Sequence, residues 1–147
     1  MQTLILGVGN LLLGDEGVGV HVARALNQSA LPASVEVIDV GVAFLNVLDR
    51  IELADRILIV DAMQAGGIPG SIYRQPFDAC LHPEQLASLH GFDLSRTLYL
   101  AGNDRKPEVT VFGVEPEVIA WGMELSPVVA ESLPIVVAAI RKEVGAV

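Results

Sequence analysis

The sequence is short of several things, and each shortage excludes a class of protein. One cysteine in 147 residues cannot close an internal disulfide, which removes the disulfide-stapled secreted scaffolds. Basic side chains are few: 9 Lys and Arg face 18 Asp and Glu, for a net charge of -9. Nucleic acid is bound through clustered Lys and Arg. Here only Arg105-Lys106 and Arg141-Lys142 are adjacent, so nucleic acid is not expected as the main partner. Long hydrophobic runs are missing too. The longest uncharged run, Met1 to Gly14, is broken by Gly7, Gly9 and Asn10, and a spanning helix needs about 20 predominantly apolar residues. No basic residue precedes Arg24, so the run does not read as a signal peptide either. The expectation is a soluble, cytoplasmic protein with no membrane partner.

What is present is apolar: 52% of the chain. That is too much for a disordered chain, and it points to strands buried on both faces. The length fits one domain, residues 1–147, because a chain of this size buries roughly 70% of its unfolded surface. No repeat, low-complexity tract or linker divides it. Short β-rich runs end near glycine or an acid: Leu4-Ile5-Leu6 before Gly7, Val35 to Ile38 before Asp39, Ile57 to Val60 before Asp61, and Val109 to Phe112 before Gly113. Nearly continuous apolar runs are typical of parallel strands covered on both sides. Ser71 to Arg74 alternates after the Pro69-Gly70 turn and reads as an edge strand.

Helical stripes lie between the strands. Val18, Val22, Ala25 and Leu26 repeat after Asp15, the expected N-cap. Phe44, Val47, Leu48 and Ile51 form a second stripe, and Leu94, Leu98 and Ala101 a third, capped by Asp93. The last helix opens at Ser126-Pro127 and contains Pro134, a potential kink. Alternating strands and helices predict an α/β fold: a single-domain, three-layer, mostly parallel sheet with helices on both faces. Ligands of such sheets sit beyond the carboxyl ends of the strands. That rule selects the loops after Leu6, Ile38, Val60 and Phe112.

The first of these loops, Gly7-Val8-Gly9-Asn10-Leu11-Leu12-Leu13-Gly14-Asp15-Glu16-Gly17-Val18-Gly19, is glycine-rich. A dinucleotide fingerprint would need glycine at position 12, which is leucine, and a phosphate loop would need lysine. The glycines instead suit a loop that presents a carboxylate. Asp15 and Glu16 can both be read as first-turn acids, or Asp15 as the cap and Glu16 as an outward ligand. Asp61 ends the most hydrophobic strand; it either bonds loop amides or serves the site. His90 follows Leu89 in a loop, and His82 and His21 read as surface and part-exposed helix-face residues. Glu, Asp and His together would suit a transition metal with open positions. Cys80 is expected to be a part-buried structural residue. Met63, Phe92 and Trp121 could line an apolar groove, but isolated residues of this kind usually belong to the core.

The run from Gly9 to Gly19 resembles the signature loop of the hydrogenase maturation endopeptidases. Val60-Asp61-Ala62, Pro69-Gly70-Ser71, Leu89-His90, Gly113-Val114-Glu115-Pro116-Glu117 and Leu125-Ser126-Pro127 follow in the family's order. The resemblance covers nearly the whole chain. It implies a twisted five-stranded sheet and a peptidase that trims the C-terminal extension of the nickel–iron hydrogenase large-subunit precursor. It also implies that Glu16, Asp61 and His90 are the catalytic and metal-contacting residues, the metal being nickel supplied by the precursor. The protein is taken to act as a monomer. There is no Gly-x-Ser-x-Gly elbow and no His-Glu-x-x-His zinc motif. One departure is visible: Asp39-Val40-Gly41-Val42 stands where family members often carry Asp-Gly-Gly-Thr, a change that bears on which precursor is recognised. The competing readings are a Rossmann-type nucleotide-binding module and a non-catalytic chaperone of the same precursor.

Overall fold

The computed structural model describes residues 1–77, 85 and 107–146. Five strands, β1 (Thr3–Val8), β2 (Val35–Gly41), β3 (Arg56–Ala62), β4 (Ile72–Pro76) and β5 (Glu108–Val114), form one sheet in the order β2-β1-β3-β5-β4. All neighbours are parallel except β4, which runs antiparallel to β5. The fold is therefore the mostly parallel α/β sheet expected, with Ser71 to Arg74 lying at its antiparallel edge.

Alternation along the central strands builds two cores. Leu4, Leu6, Ile57 and Ile59 point to one face, where Val47 and Ile51 cover them. Those two residues come from a 3-10 turn (Phe44–Val47) and the helix α2 (Leu48–Leu53). Ile5, Leu58 and Val60 point to the other face. There they meet Val18, Val22 and Leu26 of α1 (Val18–Asn27) and Val129, Val136 and Ile140 of α3 (Pro127–Glu143). Each fully buried side chain of this size contributes about 1.5–3 kcal/mol. Leu94, Leu98 and Ala101, the third helical stripe, and Asp93, its expected cap, lie outside the described residues.

The last helix begins as expected, with Ser126 at the cap and proline in the first turn. It runs through Pro134, whose side chain is exposed like that of Ala130, so the Ala130 carbonyl deprived of its N–H partner lies on the solvent side.

One glycine decides how closely α1 approaches the sheet. A Cβ on Gly19 would collide with the carbonyl oxygens of Val60 and Val8. Backbone atoms cannot swing aside as a side chain can. Gly19→Ala is therefore expected to lower stability by about 1–3 kcal/mol, as overpacking does. Urea unfolding measures it, and an unchanged midpoint would contradict this packing.

Candidate active site

The loop after β1 turns back over the carboxyl edge of the sheet. Gly9 makes this possible: its φ is +140°, and a Cβ there would strike the Glu16 carbonyl oxygen. The Gly9 N–H donates to the Gly41 carbonyl at 3.0 Å, so the departing ends of β1 and β2 are tied together. The chain then forms a 3-10 turn, Gly14–Gly17, in contact with β3. Glu16 lies in that turn and is buried.

Asp61 sits in register with Gly113 near the carboxyl end of β3 and is 1% exposed. Its Oδ1 accepts the Ala62 N–H at 2.8 Å. Two sequence-chosen carboxylates therefore belong to adjoining elements at one edge of the sheet. His90, the third, lies outside the described residues, as do Cys80, His82 and Phe92. Among the described residues, no three His, Cys, Asp or Glu side chains gather into a metal site.

Asp15 corrects the cap assignment. No side chain caps either the 3-10 turn or α1, whose N-cap is Gly17. The Asp15 carboxylate is instead fully buried. Its Oδ2 accepts the Glu117 and Val118 N–H groups, each at 2.9 Å, and the Ser126 hydroxyl at 2.7 Å. Its Oδ1 accepts the Ser126 N–H at 2.7 Å. Ser126 thus spends its hydroxyl on Asp15 and not on capping its own helix. Burial alone would raise the Asp15 pKa, but bonds from Val118, Ser126 and Glu117 outweigh it and hold the carboxyl below its usual value.

Glu115 belongs to the Gly113-Val114-Glu115-Pro116-Glu117 run. It is buried, and its Oε1 accepts the Ala65 and Gly67 N–H groups, both at 2.9 Å, and the Tyr73 hydroxyl at 2.8 Å. The loop that follows Asp61 is shaped by this one oxygen. Burial pushes the Tyr73 phenol up, and its bond to Glu115 adds to that. Glu115→Ala should lower stability by about 2 kcal/mol, because three donors lose a charged acceptor. Amide exchange at Ala65 and Gly67 should accelerate with it; unchanged protection there would mean the loop is held by other contacts.

Two further expectations divide. Met63 is core, as anticipated, packed where a Cβ on Gly113 would meet it. Trp121 is not: it is 83% exposed. Its neighbours in the loop carry their hydrogen bonds through the backbone, so the side chain is left facing solvent. His21 is half-buried on α1, as expected of a helix-face residue. Burial holds its pKa below the usual imidazole value, opposed by a hydrogen bond to the Met123 backbone and assisted by Arg24.

Comparison with known proteins gives the class. The chain matches the hydrogenase maturation protease family over residues 20–143. It is 34% identical to the hydrogenase 2 maturation protease of Escherichia coli over 97% of this chain and 92% of that one. It is also 34% identical to the hydrogenase expression/formation protein HupD of Rhodobacter capsulatus, over 99% of this chain and 72% of the relative. The nickel–iron hydrogenase maturation protease HybD of Thermococcus kodakarensis superposes with a TM-score of 0.83 at 26% identity, covering 98% of this chain and 99% of HybD. The fold is that of these maturation proteases, and the chain belongs to the hydrogenase maturation protease family. That assignment replaces the nucleotide-binding alternative. Among the described residues no helix is long and apolar enough to cross a membrane.

Proposed function

We propose that this protein is the endopeptidase that removes the C-terminal extension of a nickel-loaded large-subunit precursor of nickel–iron hydrogenase. It acts as a cytoplasmic monomer. The observation that carries this reading is the placement of Glu16 and Asp61, both buried, on adjoining elements at the carboxyl edge of the sheet in a chain of this family. Glu16, Asp61 and His90 contact the nickel that the precursor brings. The metal is cargo of the substrate and not a resident cofactor. Two carboxylates and an imidazole leave coordination positions to the precursor's own ligands, so cleavage waits until nickel is in place.

Two routes to the hydrolysing water fit this site. A carboxylate takes the water's proton as general base, or the nickel polarises the scissile carbonyl. In both, the buried carboxylates are held by backbone geometry before the substrate arrives, which limits reorganisation during reaction.

The test is the mass of the precursor before and after incubation with the protein, with and without nickel loading. Loss of a C-terminal fragment only from the loaded form is expected. Cleavage irrespective of nickel would remove the gating, and binding without any mass change would leave the chaperone reading in its place.

A further inference from the structure

The loop between β5 and α3 carries a feature that the hydrolytic chemistry does not use. Val118, Ile119, Trp121 and Met123 are all exposed, and so is Leu12 in the loop after β1. The two loops are bonded to each other. The Gly122 N–H donates to the Leu12 carbonyl at 2.9 Å, and the Gly14 N–H donates to the Gly122 carbonyl at 2.8 Å. The Asp15 N–H donates to the Val118 carbonyl at 3.0 Å, and the Asp15 carboxylate grips the same loop from beneath. Leu12 is four residues before Glu16, so the loop that bears this part of the apolar platform leads directly into the turn that carries Glu16.

Exposed apolar side chains on a loop are ordinarily scattered and mobile. Here five sit on two loops fastened by a buried carboxylate and paired backbones. Contiguous exposed apolar surface marks interaction sites. Holding it rigid before binding removes part of the ordering cost of association. The charge pattern narrows the partner. Neither residues 1–23 nor residues 107–140 contain Lys or Arg. Glu117 and Glu124, both exposed, flank the platform. The two segments that bear this apolar surface thus supply acids and no Lys or Arg, and such a surface favours a partner of the opposite charge.

We propose that this platform docks the protein substrate through a segment in which a large apolar side chain is flanked by Lys or Arg, with Trp121 as the central contact. The proposal rests on the hydrogenase-precursor reading above and names the surface on which that precursor is held. Aromatic anchors of this kind dominate interface energies, while rim charges act mainly on the rate of association and its salt dependence.

Trp121 is the only tryptophan in the chain, so fluorotryptophan labelling places one fluorine resonance on the platform. Titration with unlabelled nickel-loaded large-subunit precursor is expected to shift or broaden that resonance. Calorimetric titration of the same precursor should give a Kd raised about 10-fold or more by Trp121→Ser and by Met123→Ser. The double variant Glu117→Gln, Glu124→Gln should flatten the salt dependence of binding. Leu53→Ser serves as the control: Leu53 is equally exposed but ends α2, ahead of the amino end of β3, and its Kd should match that of the unaltered protein. An unshifted resonance at saturation overturns the proposal. So does a Kd within about two-fold of the unaltered value in both single variants, against the loss expected of an anchor. A precursor that does not bind at all overturns it as well. Cleavage is followed separately in the same samples. Platform-dependent binding without cleavage would refute the peptidase reading and leave the docking surface standing.

Discussion

Asp61→Asn is expected to slow cleavage of the nickel-loaded precursor by about 100-fold or more, the range in which a lost acid–base group falls. The substitution separates charge from shape. Asparagine keeps an Oδ1 that can accept the Ala62 N–H, the bond seen at 2.8 Å, so the carboxyl end of β3 should hold its form. What disappears is one ionisable carboxyl in a nearly sealed position. Glu16→Gln applies the same separation to the 3-10 turn, and His90→Ala tests the third contact. A time course of processed precursor, with thermal midpoints measured alongside, reads both quantities. Full cleavage by all three variants would refute the site. A fall in midpoint matching the fall in rate would recast the carboxylates as structural.

Asp15→Ala should produce the largest loss of stability, about 3 kcal/mol or more. Its carboxylate is fully buried and accepts four hydrogen bonds. Removing it leaves three backbone N–H groups and a hydroxyl without their acceptor, and stranded donors cost more than the bonds contributed. The same arrangement fixes a pH dependence. Because the folded-state pKa is lowered, the stabilisation is fully present above the unfolded value, about 3.9. It is lost as pH falls below that value and through the lower folded one. Asp15→Asn, uncharged throughout, should lose this acid-dependent part. Denaturant melts of both proteins between neutral and strongly acidic pH would show it. Parallel curves would mean that Asp15 is not the group responsible.

The strands were legible because burial on both faces writes itself as unbroken apolar runs, as at Ile57 to Val60. The edge strand was legible through its alternation and the preceding Pro69-Gly70. Asp61 followed from one rule about where parallel sheets bind ligands. Asp15 was misread because its setting looks like a local cap, while its true partners lie 102 to 111 residues away. Nothing in its neighbours announces that. Glu115 was missed for a related reason: its donors come from residues 65, 67 and 73. Yet it stands just beyond β5, and the rule that chose Asp61 would have ranked it had that loop been treated alike. Trp121 was assigned to the core on composition, which cannot tell a buried aromatic from one held outward by a pinned backbone.

The distance spanned by the Asp15 clamp also orders events during synthesis. Among the described residues, the last of the five strands ends at Val114. The groups that donate to the Asp15 carboxylate come later, at residues 117, 118 and 126. A nascent chain leaves the ribosome amino end first, so these strands emerge before the residues that clamp the carboxylate beside Glu16. The loop that carries the candidate catalytic acid is thus locked only by residues made after the last of these strands, and a chain ending at residue 115 would have the strands without the clamp.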